Sequence, residues 1–182
     1  PLGFGLPDAL FAHDGQITKR PMRALTLSAL APRRAELLWD LGAGSGSISV
    51  EWCLAGGQAC AVERAPERCA RIRANAARFG VEHRLSVVQA DTATNLPETR
   101  PNAIFIGGGA NEALMARLWA LASAGTRFVV NAVTLETEVL LATWHARVGG
   151  SLLRVELADS QPLGRMRGWS PARPVVQWSA MR

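Results

Sequence analysis

Apolar residues in this chain form short, nearly continuous runs separated by longer stretches of helical periodicity, and the alternation persists from residue 36 to residue 148. Short apolar runs bounded by glycine or polar residues read as buried strands, and apolar residues recurring every three to four positions read as amphipathic helices. Strands are therefore expected at 36–41, 58–63, 84–89, 102–107 and 126–132, with helices near 46–55, 66–79, 111–123 and 135–148. Pro66 suits the first turn of the second of these helices, and Asn111 suits the N-cap of the third. Residues 1–20 read as an irregular arm, after which Pro21 opens a helix through about Leu30. Two further strands are expected at 151–159 and 174–180. The connection from Gln161-Pro162-Leu163-Gly164 to Arg173-Pro174 holds no helix, so the last strand should pair antiparallel. The pattern predicts an α/β domain over residues 21–182, built on a seven-stranded, doubly wound, mostly parallel sheet with an antiparallel last strand.

Composition narrows the class. A chain of 182 residues with 48% hydrophobic content is one domain with a sizeable core. No apolar run approaches the roughly 20 residues of a membrane span, and no signal peptide is visible. The chain begins at Pro1 without a methionine, as a fragment of a longer protein would. Cys53, Cys60 and Cys69 form no Cys-x-x-Cys pair and have no neighbouring histidine, so no metal site is expected and a reducing cytoplasm fits best. Lys19 is the lone lysine among 20 basic residues, the rest being arginine, and tyrosine is absent. Genomic base composition is the plain explanation of that bias. An anionic partner is the functional one, since arginine grips carboxylate and phosphate in bidentate fashion.

The chemistry concentrates in Leu37-Leu38-Trp39-Asp40-Leu41-Gly42-Ala43-Gly44-Ser45-Gly46-Ser47, an expected strand that ends in an acidic residue and turns on three alternating glycines. Such a turn brings backbone close to a ligand where a Cβ would collide. Ser47 stands where the dinucleotide fingerprint wants its last glycine, which points away from a pyrophosphate and towards S-adenosylmethionine. In a doubly wound sheet, ligands bind off the carboxyl ends of the strands. The second strand ends in Glu63, an acceptor suited to a ribose diol, and the third is followed by Asp91, suited to an adenine amino group. The fourth ends in Gly107-Gly108-Gly109, open enough for a substrate. Each has a plainer reading: Asp40 and Asp91 as caps of turns, Glu63 as a solvated strand end. Their occurrence at three consecutive strand ends favours the joint site.

These residues resemble the cofactor motifs of class I S-adenosylmethionine-dependent methyltransferases. The flanks narrow the resemblance. Phe4-Gly5-Leu6-Pro7-Asp8 with Phe11, His13-Asp14-Gly15-Gln16-Ile17-Thr18-Lys19, Phe105-Ile106-Gly107-Gly108-Gly109 and Val130-Asn131-Ala132-Val133-Thr134-Leu135-Glu136-Thr137-Glu138 are similar to the cobalamin-pathway C-15 methyltransferases over essentially the whole chain. The resemblance implies that the arm, residues 1–20, closes over the cofactor with Thr18 touching it. It implies cofactor contacts from Gly42, Ala43, Gly44, Ser45 and Gly46, from Glu63 with Arg64, and from Asp91 and Thr92. It also implies methylation of C-15 of a precorrin coupled to decarboxylation of the C-12 acetate, a homotetramer, and fusion to an upstream C-5 methyltransferase domain.

Candidate assistants for the chemistry are His13, Asn131 and Glu136, although His13 also reads as an ordinary turn histidine and Thr18 as a helix N-cap. Candidate holders of substrate carboxylates are Lys19, Arg165, Arg167 and Arg173, with Gly107 and Gly108 leaving room. Two other readings stay open: an RNA methyltransferase and a non-catalytic S-adenosylmethionine-binding module. The first is disfavoured because the fourth strand lacks the Asn/Asp-Pro-Pro-aromatic sequence of amino-group methylation, so no nucleic-acid or membrane partner is expected.

Overall fold

A computed structural model describes residues 3–93 and 95–182; Pro1 and Leu2 of the arm, and Thr94, lie outside the described residues. Strands β1 (Leu37–Leu41), β2 (Gln58–Glu63), β3 (Leu85–Gln89), β4 (Ala103–Ile106) and β5 (Arg127–Ala132) are parallel. Helix α1 (Arg20–Leu30) precedes them, and α2 (Ser47–Leu54), α3 (Pro66–Arg78), α4 (Glu112–Leu121) and α5 (Leu135–Val148) run between or after them. Strand β6 (Ser151–Val155) lies at one edge, and the last strand of the chain, at 175–181, inserts between it and β5, antiparallel to both. Strand order reverses between β1 and β4, so the crevice for a ligand opens off their carboxyl ends.

Two apolar layers follow from the period-2 alternation of the strands. On one face Leu38, Ala61, Phe105 and Val129 pack against Leu27 and Leu30 of α1, Ile48 and Trp52 of α2 and Ile72 of α3. On the other, Trp39, Leu41, Ile104, Ile106, Phe128 and Val130 meet Leu114 and Leu118 of α4 and Leu141 and Trp144 of α5. Trp119 joins this second core, its ring 5.1 Å from Phe128 and 5.8 Å from Trp144. Asn111 caps α4 as expected, accepting from Leu114 N at 3.0 Å. Lys19, not Thr18, is the N-cap residue of α1, and it makes no side-chain cap bond.

One expectation is corrected. The strand read over 151–159 ends at Val155, and the segment read as a connection forms β7 (Ala158–Leu163) and β8 (Met166–Pro171), a separate antiparallel ribbon; the last strand is thus β9 (Val175–Met181). Its sequence carries almost no apolar alternation, because the ribbon is exposed along its length. Gly164, at φ +59°, turns it. Among the described residues no helix is long and apolar enough to cross a membrane.

The arm is fastened to the body by charge. Arg23 of α1 is fully buried, and its Nε donates to Glu51 of α2 at 2.6 Å. Glu51 also accepts the backbone N–H groups of Gly5 (2.7 Å) and Leu6 (3.0 Å). The rest of the Arg23 guanidinium donates to the carbonyls of Leu6 and Thr18, approaches Asp8 at 3.0 Å and stacks over the Phe11 ring at 4.8 Å. At the opposite end of the sheet, buried Arg127 binds Glu36 and the Leu30 carbonyl in the same manner.

Breaking a buried pair leaves one charge uncompensated. Arg23→Met should therefore lower the unfolding free energy by roughly 3–5 kcal/mol in urea titrations. A loss below about 1 kcal/mol, the range of an exposed ion pair, would show that the arm is held by packing alone.

Candidate active site

The carboxyl ends of β1 to β4 enclose a cavity of about 420 Å³, within the range typical of small-molecule sites. Its floor is the glycine loop after β1. Gly42, Gly44 and Gly46 all adopt positive φ, at +71°, +59° and +71°. Each does a different job. A Cβ on Gly42 would lie 3.2 Å from the Gly108 carbonyl, so this glycine lets the β1 and β4 loops meet. A Cβ on Gly44 would stand 3.5 Å from the Gln16 carbonyl, where the arm crosses. On Gly46 it would reach 2.8 Å from Ile72, so the third glycine seats α2 against α3 and does not line the cavity. The loop is folded back on β2: Gly42 N and Ala43 N both donate to the Val62 carbonyl, at 2.9 and 3.1 Å.

Glu63 ends β2, buried, and its two oxygens accept from Gly44 N and Ala65 N, both at 3.0 Å. An ionised carboxylate has about four accepting sites, so two remain for a diol. Asp91 follows β3 and accepts from Ala93 N at 2.8 Å, which gives it the turn-capping role alongside its place in the cavity wall. Beneath the loop, Asp40 accepts from Ser49 Oγ at 2.6 Å, while its other oxygen is buried and has no hydrogen-bond partner among the described residues. Such an orphaned acceptor is costly, and Asp40 lies behind the loop without lining the cavity. Burial pushes the Asp40 carboxyl up to about 6.

The arm adjoins the loop and lines the cavity through Gln16, Ile17 and Thr18, and Arg64, Arg68, Gly107, Gly108, Gly109 and Asn111 also line it. Among the described residues no cluster of histidine, cysteine, aspartate or glutamate is arranged to hold a metal ion.

The sequence and the fold have known counterparts. A family model described as the precorrin methyltransferase domain matches residues 9–182. The chain belongs to that family. It is 55% identical, over 98% of its length, to precorrin-6Y C(5,15)-methyltransferase (decarboxylating) of a Sinorhizobium species, of which it covers 44%. It is 37% identical to a probable cobalt-precorrin-6B C(15)-methyltransferase (decarboxylating) of Pyrobaculum aerophilum, covering 94% of this chain and 92% of that one. The crystal structure of the C-terminal domain of precorrin-6Y C5,15-methyltransferase from Rhodobacter capsulatus superposes with a TM-score of 0.95 at 56% identity, each chain covered in full. The chain thus spans less than half the length of the Sinorhizobium relative.

Within this precorrin methyltransferase domain, the cavity brings together Thr18, Gly42, Ala43, Gly44, Glu63, Arg64, Asp91, Thr92, Gly107 and Gly108 of the expected site. Ser45 and Gly46 belong to the loop but face away, both buried. The three candidate assistants lie outside the lining. His13 is exposed on the arm, its Nδ1 accepting from Gly15 N at 3.0 Å. Asn131 is buried, and its amide is spent on Thr26 Oγ1 (3.1 Å) and Gln177 Nε2 (2.8 Å) in a network beneath α1. Glu136 is exposed in the first turn of α5. Lys19 is exposed beside Asp8, and Arg165, Arg167 and Arg173 lie on or beside the exposed ribbon, away from the cavity.

Sequence reasoning missed Gln16, Ile17, Arg68, Phe105 and Asn111 as lining residues. Arg68 carried a weak signal, standing in the first turn of α3 directly after the Glu63-Arg64 strand end. Phe105 carried none, because the strand alternation assigns it to the core.

The raised Asp40 value has a sign. With an ordinary carboxylate value of 3.8 and a folded value of about 6, protonated Asp40 stabilises the fold below pH 4, and that contribution is lost as pH rises through about 6. Asp40→Asn should therefore gain on the unsubstituted chain by up to about 3 kcal/mol between pH 4 and pH 7 in urea titrations. Parallel pH profiles would contradict the burial argument.

Proposed function

We propose that the chain methylates C-15 of a precorrin with S-adenosylmethionine as donor and promotes decarboxylation of the C-12 acetate side chain. The observation that carries this reading is the cavity itself. Gly42 and Gly44 of the glycine loop, Glu63 at the end of β2 and Asp91 after β3 line it together, in a member of the precorrin methyltransferase family. The Pyrobaculum relative, nearly equal in length to this chain, bears a C(15)-methyltransferase (decarboxylating) name.

Glu63 and Asp91 would hold the nucleoside, and Asp40 would sit beneath the cationic amino acid portion. Bound there, S-adenosylmethionine supplies a methyl group already activated by its sulfonium. The protein's share is alignment of the accepting carbon, worth most when the site is closed. The arm residues Gln16–Thr18 supply the closing wall, and the loss of charge on transfer favours that water-poor setting. Gly107 and Gly108 leave the entry side open to a flat macrocycle. Decarboxylation uses the conjugated ring as electron sink, so no protein nucleophile is needed.

The chain is also proposed to act as the C-terminal part of a longer protein carrying an upstream C-5 methyltransferase, in the cytoplasm, where buried free Cys53, Cys60 and Cys69 stay reduced. Support comes from the 44% share of the Sinorhizobium protein and from the likeness to a C-terminal domain. A homotetramer is proposed through the ribbon, where Leu163, Met166 and Trp169 are 69%, 75% and 77% exposed. Such large apolar side chains seldom stand in water together without a partner.

Incubation with labelled S-adenosylmethionine and the C-5-methylated precorrin should yield product heavier by one methyl and lighter by carbon dioxide. Methyl gain without mass loss would remove the decarboxylase half. Glu63→Gln should raise KM for the methyl donor at least roughly tenfold, the cost of one bond to a charged acceptor. For the assembly, Trp169→Glu should shift the light-scattering mass from tetramer to a smaller species; an unchanged mass would exclude the ribbon as the contact.

A further inference from the structure

Helix α3 presents Arg68, Arg71 and Asn75 at spacings of three and four, which puts them in one stripe along the helix. All three reach the arm. Arg68 Nε and Arg71 Nη1 bind Asp14 at 3.1 and 2.6 Å, holding its carboxyl well below the usual range, chiefly through Arg71. That pair is about one-third exposed and correspondingly weak. Asn75 is different. It is 1% exposed, and its amide spans two segments that have no covalent reason to move together. Its Oδ1 accepts from Ala12 N at 2.8 Å, and its Nδ2 donates to the Ala12 carbonyl at 3.0 Å and to the Ser45 carbonyl at 2.9 Å.

Both donors and the acceptor of one buried side chain are thus consumed by backbone, two on the arm and one at the crest of the glycine loop. On either side of this junction lie the two walls of the cavity. Gln16, Ile17 and Thr18 continue from Ala12 through Asp14, and Gly44 precedes Ser45, with the Gln16 carbonyl directly against it. The apolar packing of Phe11 on Phe79, ring centres 5.0 Å apart, holds the arm to the end of α3.

We propose that Asn75 is a positioning residue that locks the arm to the glycine loop and so fixes the separation of the two cavity walls. It never meets the ligand. The inference rests on the reading of the cavity as an S-adenosylmethionine site only for its functional consequence. The mechanical coupling itself stands on the three bonds. Loss of Asn75 removes the bonds that tie the arm to the loop at this junction, so binding pays more of the cost of ordering the two together, whereas the bound arrangement, once formed, is the same. The signature is a change in affinity with little change in turnover.

The test compares Asn75→Ala with the unsubstituted chain, and uses Glu36→Gln, which weakens the buried Arg127 pair at the far end of the sheet, as a control for general destabilisation. Three measurements are made: affinity for S-adenosylhomocysteine by calorimetry, steady-state kinetics giving KM and kcat for the methyl donor, and hydrogen exchange of segments 11–18 and 42–46 without ligand. Asn75→Ala should weaken S-adenosylhomocysteine at least roughly tenfold and raise KM in step. It should leave kcat within about threefold and speed exchange in both segments, since loss of bonds that order them raises local opening. Should the alanine variant fail to fold, Asn75→Ser takes its place, putting a hydroxyl too short to reach both segments into the buried site.

Unchanged affinity with unchanged exchange in the variant overturns the proposal. So does an equal loss of affinity in Glu36→Gln at a matched fall in melting temperature. If the unsubstituted chain itself does not bind S-adenosylhomocysteine, the cofactor reading falls instead, and the exchange data alone decide the coupling: faster exchange in both segments sustains it, and change confined to the arm overturns it.

Discussion

The buried pairing of Arg23 with Glu51 is the constraint on which the site depends. Neither charge tolerates burial alone, and the pair closes only because the arm supplies the missing partners: two N–H groups for Glu51, and the Leu6 and Thr18 carbonyls for Arg23. The dependence runs both ways. An irregular segment with little secondary structure of its own gains a fixed path across the sheet, and α1 and α2 gain a neutralised interface. Thr18 reaches the cavity wall because the carbonyl of the same residue is held by Arg23. A cavity wall made of loop is ordinarily the most mobile part of a structure. Here it is tied to buried charge at one end, to Asn75 near its middle, and to the strand-switch crevice by contact with Gly44.

The glycine loop shows how one motif satisfies several steric demands at once. Gly42 permits the β1 and β4 loops to approach, Gly44 admits the arm, and Gly46 admits Ile72. Only the first two concern the cavity. Ser47, at the start of α2, is buried and does not line the cavity. The loop therefore couples ligand space to helix packing, and substitutions within it act on both.

How far the sequence discloses this arrangement depends on the range of the interactions. The parallel strands and their helices were legible because burial on both faces writes continuous apolar runs, and the caps at Asn111 and Pro66 mark ends locally. Glu63 and Asp91 were legible because strand ends in a doubly wound sheet have a known destination. The β7–β8 ribbon was not, since exposed strands need no alternation, and Pro162 and Gly164 read as loop. Arg23 and Glu51 were invisible as a pair: each is a charged residue in a helix, 28 positions apart, and nothing short of tertiary packing indicates that both are buried. Asn75 was hidden in the same way, and Asn131 looked chemical because the residues around it carry the resemblance, while its amide serves the packing of α1 on β5 and β9.

The arginine bias acquires a structural meaning from the same bonds. Arg23, Arg100, Arg117, Arg127 and Arg182 each donate to a main-chain carbonyl, those of Leu6, Leu121, Ala93, Leu30 and Trp119 among them, and several also carry a carboxylate or an aromatic ring. A guanidinium does this well because its fork reaches two acceptors at once and is weakly hydrated, which an ammonium is not. Much of the positive charge is thus distributed through the body as carbonyl caps and ion pairs. Arg64 and Arg68 line the cavity, so of the 20 basic residues two bring their charge to its interior, and most of the others that the structure shows in bonds serve the fold.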